Sequence, residues 1–318
     1  MENQQPKQRD WARACLITIA ILYALVAGLR TVSEMDLGWQ MATGRYIVQH
    51  HEIPSKALFT YTAPDAKWIY PVLSEIVFYL LFKLGGFAAL SWLNAIACVC
   101  TIALLSASGG RASAVLAIVA VPTIALRTMP RADLFTTVLF AALLFLLWRY
   151  HEGKQSRLWL LPLLFLFWAN LHFGFAAGLA LLGGYLLLEL GQAVYVEKRS
   201  AALDRMKRAL PWIVASFAAT LFNPWGMGIY RSLVLQNEAA KPSQDFIGEW
   251  SGVHFNELAL QQFFSLRDPA SADWWILAFT ALAIVVCLFR KRIGEAILLS
   301  GAAYEAVQHL RFQAILAI

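Results

Sequence analysis

The sequence predicts an all-α, polytopic membrane protein: a transmembrane helix bundle of about nine spans, with juxtamembrane helices in its first outer loop. Of the 318 residues, 59% are hydrophobic and 14% are charged, whereas soluble domains have roughly 45–50% apolar and about 25% charged residues. Apolar runs that approach the roughly 20 residues of a membrane-spanning helix recur along the whole chain. The short basic segments between these runs follow a pattern that one membrane orientation explains.

The chain is expected to form a single transmembrane domain over residues 1–318. The first run follows Lys7, Arg9 and Arg13 and has no small-x-small cleavage pattern after it, which favours an uncleaved span over a signal peptide. The last run reaches Ile318 while still apolar, as expected of a chain that continues further. The predicted spans, in chain order, are 11–31, 87–106, 112–129, 134–148, 158–171, 173–195, 210–225, 274–289 and 293–318.

One further apolar run, 70–84, is ambiguous, and the positive-inside rule decides it. Four basic segments, namely the N-terminus, 149–157, 198–208 and 290–292, all fall on the cytoplasmic side only if this run does not cross. The run has only about 15 residues and contains Glu75 and Lys83, so it is short and polar for a span. The sequence therefore predicts a cytoplasmic N-terminus, a juxtamembrane helix within a first outer loop over 32–86, and a second outer loop over 227–273.

The net charge of +6 is expected to reflect orientation and contact with membrane lipid. No basic module interleaved with aromatic residues suggests nucleic acid as a partner. The four cysteines lie inside apolar runs at spacings that fit neither a zinc site nor a redox pair. These features exclude the common nucleic-acid and zinc-binding classes and leave membrane-embedded functions.

An acidic pair, Glu34 and Asp36, directly follows the first span. Carboxylates at a membrane surface can act as a general base or bind a divalent cation through oxygen ligands. The alternative is structural, because Asp36 is a good cap for a helix that begins at Leu37. Both interpretations stay open from the sequence.

Two turns between predicted spans carry further polar residues. Arg127, Arg131 and Asp133 surround one turn, where arginines could bind a phosphate or could extend to lipid headgroups. Asn170 and His172 form the other turn, close to the hydrocarbon, where polar groups are costly and either functional or bonded to backbone.

The second outer loop and the last apolar run add three candidates. Glu249 and Trp250 are adjacent in the loop and fit no helical period. Arg311 lies in the last run, where an unpaired arginine would cost about 2.5–3.5 kcal/mol at mid-membrane. Arg311 is therefore expected to bind a lipid phosphate or an outer-loop carboxylate.

The order of several short motifs resembles the GT-C superfamily of membrane glycosyltransferases, which take sugars from polyprenyl-linked carriers. The resemblance is to bacterial members and covers most of the chain. The motifs are Glu34-Met-Asp36-Leu-Gly-Trp39, Leu73-Ser-Glu75, Arg131-Ala-Asp-Leu-Phe135, Trp168-Ala-Asn-Leu-His172, Leu221-Phe-Asn-Pro-Trp-Gly226, Ile247-Gly-Glu-Trp250 and His309-Leu-Arg-Phe312.

This resemblance implies an inverting transferase of the bacterial inner membrane, with a lipid-linked sugar donor and an acceptor that the residues do not identify. Asp36 matches the first-loop acid, with Glu34 beside it. Arg131 and Asp133 match the second polar turn, and Glu249 matches an acid of a later loop. A divalent cation, Mg or Mn, bridging Glu34, Asp36 and Glu249 is an optional cofactor.

The alternative is a non-enzymatic membrane protein of the same fold, either a transporter or an assembly partner. Relatives commonly have a His after a tryptophan pair, whereas this chain has Gln40 and has Gly38 in place of one Trp. A transporter is expected to place ionisable residues at mid-membrane, whereas most candidates here lie at predicted outer ends. The pattern therefore favours the enzyme and keeps the alternative open.

Overall fold

The computed structural model describes residues 10–59, 67–154, 157–195, 199–240, 248–265 and 267–318, with the backbone alone at 195, 199, 236–240 and 249. Across these residues the regular structure is helical, and the only extended pairing is an isolated antiparallel bridge between Lys56 and Lys67. The predicted all-α class is confirmed.

The described helices include thirteen α-helices and two short 3₁₀ turns, Gly248–Trp250 and Leu310–Phe312. The α-helices, in chain order, are α1 (Trp11–Gly28), α2 (Asp36–His50), α3 (Leu73–Ser108), α4 (Arg111–Arg127), α5 (Asp133–His151), α6 (Leu160–Leu171), α7 (Phe175–Tyr195), α8 (Arg199–Ala219), α9 (Gly228–Ala240), α10 (Glu257–Phe264), α11 (Ser271–Phe289), α12 (Ile293–Gln308) and α13 (Gln313–Ala317).

Five of these helices, α1, α3, α5, α7 and α11, are long and apolar enough to cross a membrane, as expected of an integral membrane protein. Helix α4 has 17 residues and α6 has 12, so each is short for a span. Helix α8 begins at Arg199, earlier than the predicted span 210–225, and its first turns are charged. The count of nine spans stays a prediction.

Helix α3 is broken where the predicted juxtamembrane helix meets the next predicted span. Gly85 and Gly86 have non-helical dihedrals, and Gly86 has φ 62°, a conformation that glycine adopts without steric cost. Before the break, the backbone oxygen of Glu75 lies against Gly44 of α2. After it, Ala95 lies against Gly28 of α1, close enough to exclude a side chain there. The two parts of α3 therefore pack on different helices.

The last predicted span, 293–318, differs from a single helix. Helix α12 ends at Gln308, His309 is extended, and the chain continues through a 3₁₀ turn into α13. The cause is backbone pairing with the second loop: the Leu310 N–H donates to the Ser251 carbonyl oxygen at 3.0 Å, and the Val253 N–H donates to Val307 at 2.8 Å. This pairing fixes residues 250–253 beside the end of α12.

A buried polar network, which we call the Glu189 network, joins α5, α7, α8 and α12. The Glu189 carboxylate accepts hydrogen bonds from Arg205 at 2.8 and 2.9 Å and from the Tyr185 hydroxyl at 2.7 Å, and it lies 2.9 Å from His151 Nδ1. His151 Nε2 is 3.8 Å from Glu295, at the start of α12. Three of the four basic segments therefore meet at one end of the bundle, while the orientation of that end toward the cytoplasm stays a prediction.

Candidate functional site

Arg131 lies at the centre of a group of charged side chains that we call the Arg131 cluster, formed with Glu34, Asp36 and Asp133. Arg131 Nη2 is 2.7 Å from Asp133 Oδ2, and Nη1 is 3.9 Å from Glu34 Oε1. Asp36 and Asp133 are the first residues of α2 and α5, where the helix dipole favours a negative charge. The turn between α4 and α5 therefore places Arg131 and Asp133 beside Glu34, one of the two first-loop acids.

The Asp36 carboxylate is held by an indole and is exposed to solvent. Trp39 Nε1 donates to Asp36 Oδ1 at 3.0 Å. The sequence left open that Asp36 caps α2, but α2 begins at Asp36 itself, and the Asp36 N–H donates to Glu34 Oε1 at 3.4 Å. Exposure with a single described hydrogen bond leaves this carboxylate able to accept a proton from a ligand.

Aromatic rings line the space beside Asp36. Trp39 packs edge-on against Trp68 and Tyr70, with ring centroids 5.4 and 5.2 Å apart, and Tyr70 packs edge-on against Phe173 at 5.3 Å. Burial raises the pKa of the Tyr70 phenol, and the carboxylates of Glu75, Asp133 and Asp36 raise it further. Tyr70 is therefore a neutral hydroxyl set among the acids.

His172 has its imidazole fixed in one protonation state. Trp168 Nε1 donates to the Thr136 hydroxyl at 2.9 Å, and that hydroxyl lies 2.8 Å from His172 Nδ1, which also accepts from the Gly174 N–H at 3.1 Å. Because Nδ1 accepts, the proton of the neutral ring is on Nε2. Burial lowers the pKa of His172, and the positive charges of Arg311 and Arg131 lower it further. His172 is therefore a neutral hydrogen-bond donor near two cations.

Arg311 is positioned by Trp250. Its guanidinium carbon is 4.3 Å from the centroid of the Trp250 ring, and Trp250 is held in turn because its carbonyl oxygen is 2.9 Å from His309 Nδ1. Within the described part of the chain, no carboxylate forms an ion pair with Arg311. The indole ring of Trp250 therefore fixes the position of this cation.

Two candidates have partners that give them structural roles. Arg127 Nη2 donates to Gln313 Oε1 at 2.8 Å and is 3.6 Å from Asp273, which accepts from the Thr123 hydroxyl at 2.6 Å. Arg127 thus joins α4, α11 and α13 and does not belong to the Arg131 cluster. The Asn170 amide donates to the carbonyl oxygens of Leu166 and Phe222 at 2.8 and 2.9 Å. Asn170 thus bonds to backbone, which was one of its two predicted roles, whereas Arg127 binds side chains of distant helices, which neither of its predicted roles described.

The predicted cation site is only partly described. The side chain of Glu249 lies outside the described residues, so its distance from Glu34 and Asp36 is not defined. In the described ranges, no group of three or more His, Cys, Asp or Glu residues could hold a metal ion. The Mg or Mn ion stays a prediction that rests on two carboxylates, one of which faces Arg131.

Glu75 is a residue that the sequence placed in a motif without giving it a role. Glu75 is 0% exposed, and neither carboxylate oxygen has a hydrogen-bond partner among the described residues. The same holds for the Oε1 atom of Gln40, on the facing helix α2. A carboxylate buried without a partner is costly, so this group must carry a proton or gain a donor. The sequence did indicate that Glu75 is unusual, because it is an acid inside an apolar run.

Together these residues place an exposed carboxylate, a neutral imidazole N–H and a second arginine, Arg311, near Arg131. Such a set can accept a proton on one side and stabilise negative charge on the other. Comparison of the chain with protein-family models, with curated proteins and with solved structures finds no match.

Proposed function

We propose that the chain is a membrane glycosyltransferase that moves a sugar from a polyprenyl-linked donor to an acceptor hydroxyl on the outer face of the membrane. The observation that carries this proposal is the position of Arg131, which contacts Glu34 and Asp133 near Asp36 and, with Arg311, lies close enough to His172 to lower its pKa. Group transfer from a lipid phosphate needs both a base and a stabilised leaving anion.

The architecture proposed with this function is a GT-C-like bundle of about nine spans in the bacterial inner membrane, with its N-terminus in the cytoplasm. The break at Gly85 and Gly86 supports a juxtamembrane helix before the second span. The contact of Gly44 with Glu75 supports it as well, because it joins that helix to α2 of the first loop. In this arrangement the Arg131 cluster lies at the outer end.

In the proposed reaction, Asp36 takes the proton of the acceptor hydroxyl, and the oxygen attacks the anomeric carbon of the sugar. The bond from that carbon to the lipid phosphate oxygen breaks, and the phosphate leaves with the electron pair. Attack opposite the leaving group inverts the configuration at carbon. Arg311 and the Nε2–H of His172 stabilise the departing charge, while Arg131 holds Glu34 and Asp133 in position.

A divalent cation would add positive charge at the phosphate if it bound here. Glu34 and Asp36 supply oxygen ligands of the kind that Mg and Mn prefer.

The test compares Asp36→Asn with the wild-type protein, using a radiolabelled polyprenyl-phosphate sugar and purified protein in lipid. We expect turnover to fall by about 100-fold or more because general-base catalysis contributes roughly 10²–10⁴. Glu52→Gln is the matched control, since Glu52 is an exposed acid beyond the other end of α2. Turnover by Asp36→Asn equal to that of wild type would remove Asp36 from the reaction, and the non-enzymatic alternative predicts no transfer by any variant.

A further inference from the structure

Two segments without regular secondary structure meet beside the Arg131 cluster. The first is 29–35, between α1 and α2, and the second is 128–132, between α4 and α5. The first contains Glu34 and leads directly into Asp36, and the second contains Arg131. Segments that lack helical hydrogen bonds depend on side-chain contacts to define their position. The side chains that join these two segments therefore determine the geometry of the cluster.

Arg30 makes the first contact between the two segments. Its Nη2 atom donates to the Thr128 carbonyl oxygen at 2.6 Å and to Met129 Sδ at 3.0 Å, in a partly buried position. The backbone of Arg30 is fixed in turn, because the Ser91 hydroxyl of α3 donates to its carbonyl oxygen at 2.8 Å. Hydrogen bonds from a charged donor are stronger than those between neutral groups. Arg30 thus ties the turn that carries Arg131 to the start of the first loop.

Glu34 makes the second contact and extends it to Asp36. Its Oε1 atom is 3.9 Å from Arg131 Nη1 and accepts the Asp36 N–H at 3.4 Å. Arg30 and Glu34 are four positions apart, and Thr128 and Arg131 are three positions apart, so the two contacts close a small ring. Closing a small loop costs little entropy, so each contact favours the other. The position of the Arg131 turn is thereby transmitted to the backbone of Asp36.

The environment of Arg30 is poor for an arginine that serves stability alone. Its Nε atom is buried and has no hydrogen-bond partner among the described residues. Burial lowers the pKa of Arg30, and the nearby Glu34 carboxylate offsets part of this shift. A partly desolvated charge is costly, and local features that cost stability occur mainly at functional sites. The contacts of Arg30 therefore indicate a role in the geometry of the site.

We propose that Arg30 is a positioning residue, which holds segment 128–132 against the first loop and so fixes the carboxylate of Asp36 for proton transfer. The part of this role that concerns transfer rests on the proposed function. Arg30 acts through Arg131 and Glu34, without contact with the reacting atoms. A general base must lie within roughly 2.6–3.2 Å of the group that gives up the proton. A displacement of about 1 Å can lower a rate by roughly 100-fold.

The first test measures transfer by Arg30→Met, which keeps an unbranched side chain but has no charge and no N–H donor. We expect kcat to fall roughly ten-fold to 100-fold with KM within about two-fold, because the base moves while substrate contacts remain. Arg30→Lys keeps the charge and one donor nitrogen and should restore kcat to within about five-fold of wild type. Arg13→Met is the matched control, because Arg13 Nη2 donates to the Ser106 carbonyl oxygen at 3.5 Å, at the other end of α1. Equal losses in Arg30→Met and Arg13→Met would overturn the proposal.

A double-mutant cycle tests whether Arg30 acts through Glu34. In a Glu34→Gln protein the connection to Asp36 is already broken, so adding Arg30→Met should lower kcat by no more than about two-fold. Losses that multiply independently in the double variant would contradict the proposal. If Arg30→Met does not fold, Met129→Leu takes its place, because it removes the sulfur acceptor and conserves side-chain volume. It is expected to lower kcat roughly three-fold, with the same loss of effect in the Glu34→Gln protein.

A readout without transfer uses the Trp39 indole, which donates to Asp36 Oδ1 at 3.0 Å. In protein labelled with 5-fluorotryptophan, the ¹⁹F resonance of Trp39 is assigned by its absence in Trp39→Phe. We expect this resonance to shift in Arg30→Met and to stay unchanged in Arg13→Met. A shift in a protein that transfers no sugar would support the positioning of Asp36 by Arg30 and refute the proposed function. An unshifted resonance with unchanged kcat in Arg30→Met would refute the positioning role and keep the function.

Discussion

The Glu189 network and the Arg131 cluster are both built from charged side chains, yet they differ in how completely those charges are satisfied. The Glu189 side chain is 0% exposed, and Arg205, Tyr185 and His151 surround its carboxylate. In the Arg131 cluster, Asp36 is exposed with one indole donor, and the neighbouring Arg311 has no carboxylate partner in the described part of the chain. The enclosed charges of the Glu189 network hold helices together, whereas an exposed carboxylate such as Asp36 is accessible to a ligand.

The largest effect expected from this comparison is on stability. Glu189→Gln removes the counter-charge of Arg205 and leaves that arginine mostly buried, so we expect a loss on the order of 3 kcal/mol in the free energy of unfolding. Unfolding of the detergent-solubilised protein, by heat or denaturant, measures it. Asp36→Asn is the contrasting variant and should stay within about 0.5 kcal/mol of wild type. Equal losses in the two variants would contradict the distinction between the two regions.

A smaller effect, a gain in stability instead of a loss, is expected from a substitution at Glu75. Within the described ranges, neither oxygen of its carboxyl group has a hydrogen-bond partner, and the same is true of Gln40 Oε1 on the facing helix α2. An amide keeps the shape of the side chain, carries no charge and brings an N–H donor. Glu75→Gln should therefore raise the free energy of unfolding by about 1 kcal/mol. A clear loss of stability would show that the carboxyl has a partner that an amide cannot replace.

The smallest effect concerns the pH dependence of stability. The pKa of His172 is lowered in the folded protein, whereas the unfolded chain binds a proton near the ordinary value of 6.5. As the pH falls through 6.5, the unfolded state gains a proton that the folded state does not, and stability decreases. The expected decrease between pH 7.5 and pH 6 is about 0.8 kcal/mol.

His172→Gln should remove that part of the pH dependence, as seen by comparing unfolding midpoints at the two pH values. His50→Gln is the control because His50 is exposed at the end of α2. The assignment of this pH dependence to His172 would be contradicted if the change of unfolding midpoint with pH were the same in His172→Gln as in wild type but smaller in His50→Gln.

The sequence predicts most of the helices because a membrane-spanning helix needs a long apolar run, which is a local property. The break at Gly85 and Gly86 was predictable for the same reason. It separates a short apolar run that contains charged residues from an apolar run long enough to span the membrane. The end of α12 was not, because the hydrogen bond from Leu310 to Ser251 joins residues far apart in the sequence.

The site was predictable in part. Arg131 and Asp133 lie next to the first-loop acids, as their positions at predicted outer ends indicate. Arg127 is four residues from Arg131 and of the same type, but its partners are Asp273 and Gln313, on distant helices. Nothing local indicates which of the two arginines pairs with distant helices and which pairs with the first-loop acid. A buried partner for Glu189 was also predictable from the sequence, because an acid within an apolar run must have a partner.

The absence of a side chain at Gly44 also affects the position of Asp36. A Cβ atom there would collide with the backbone oxygen of Glu75, so α2 and α3 touch main chain to main chain. Asp36 lies about two turns away on the same helix. A side chain at position 44 would push α2 away from α3 and would therefore displace Asp36. A residue that has no functional group thus determines the position of the carboxylate that we propose as the base.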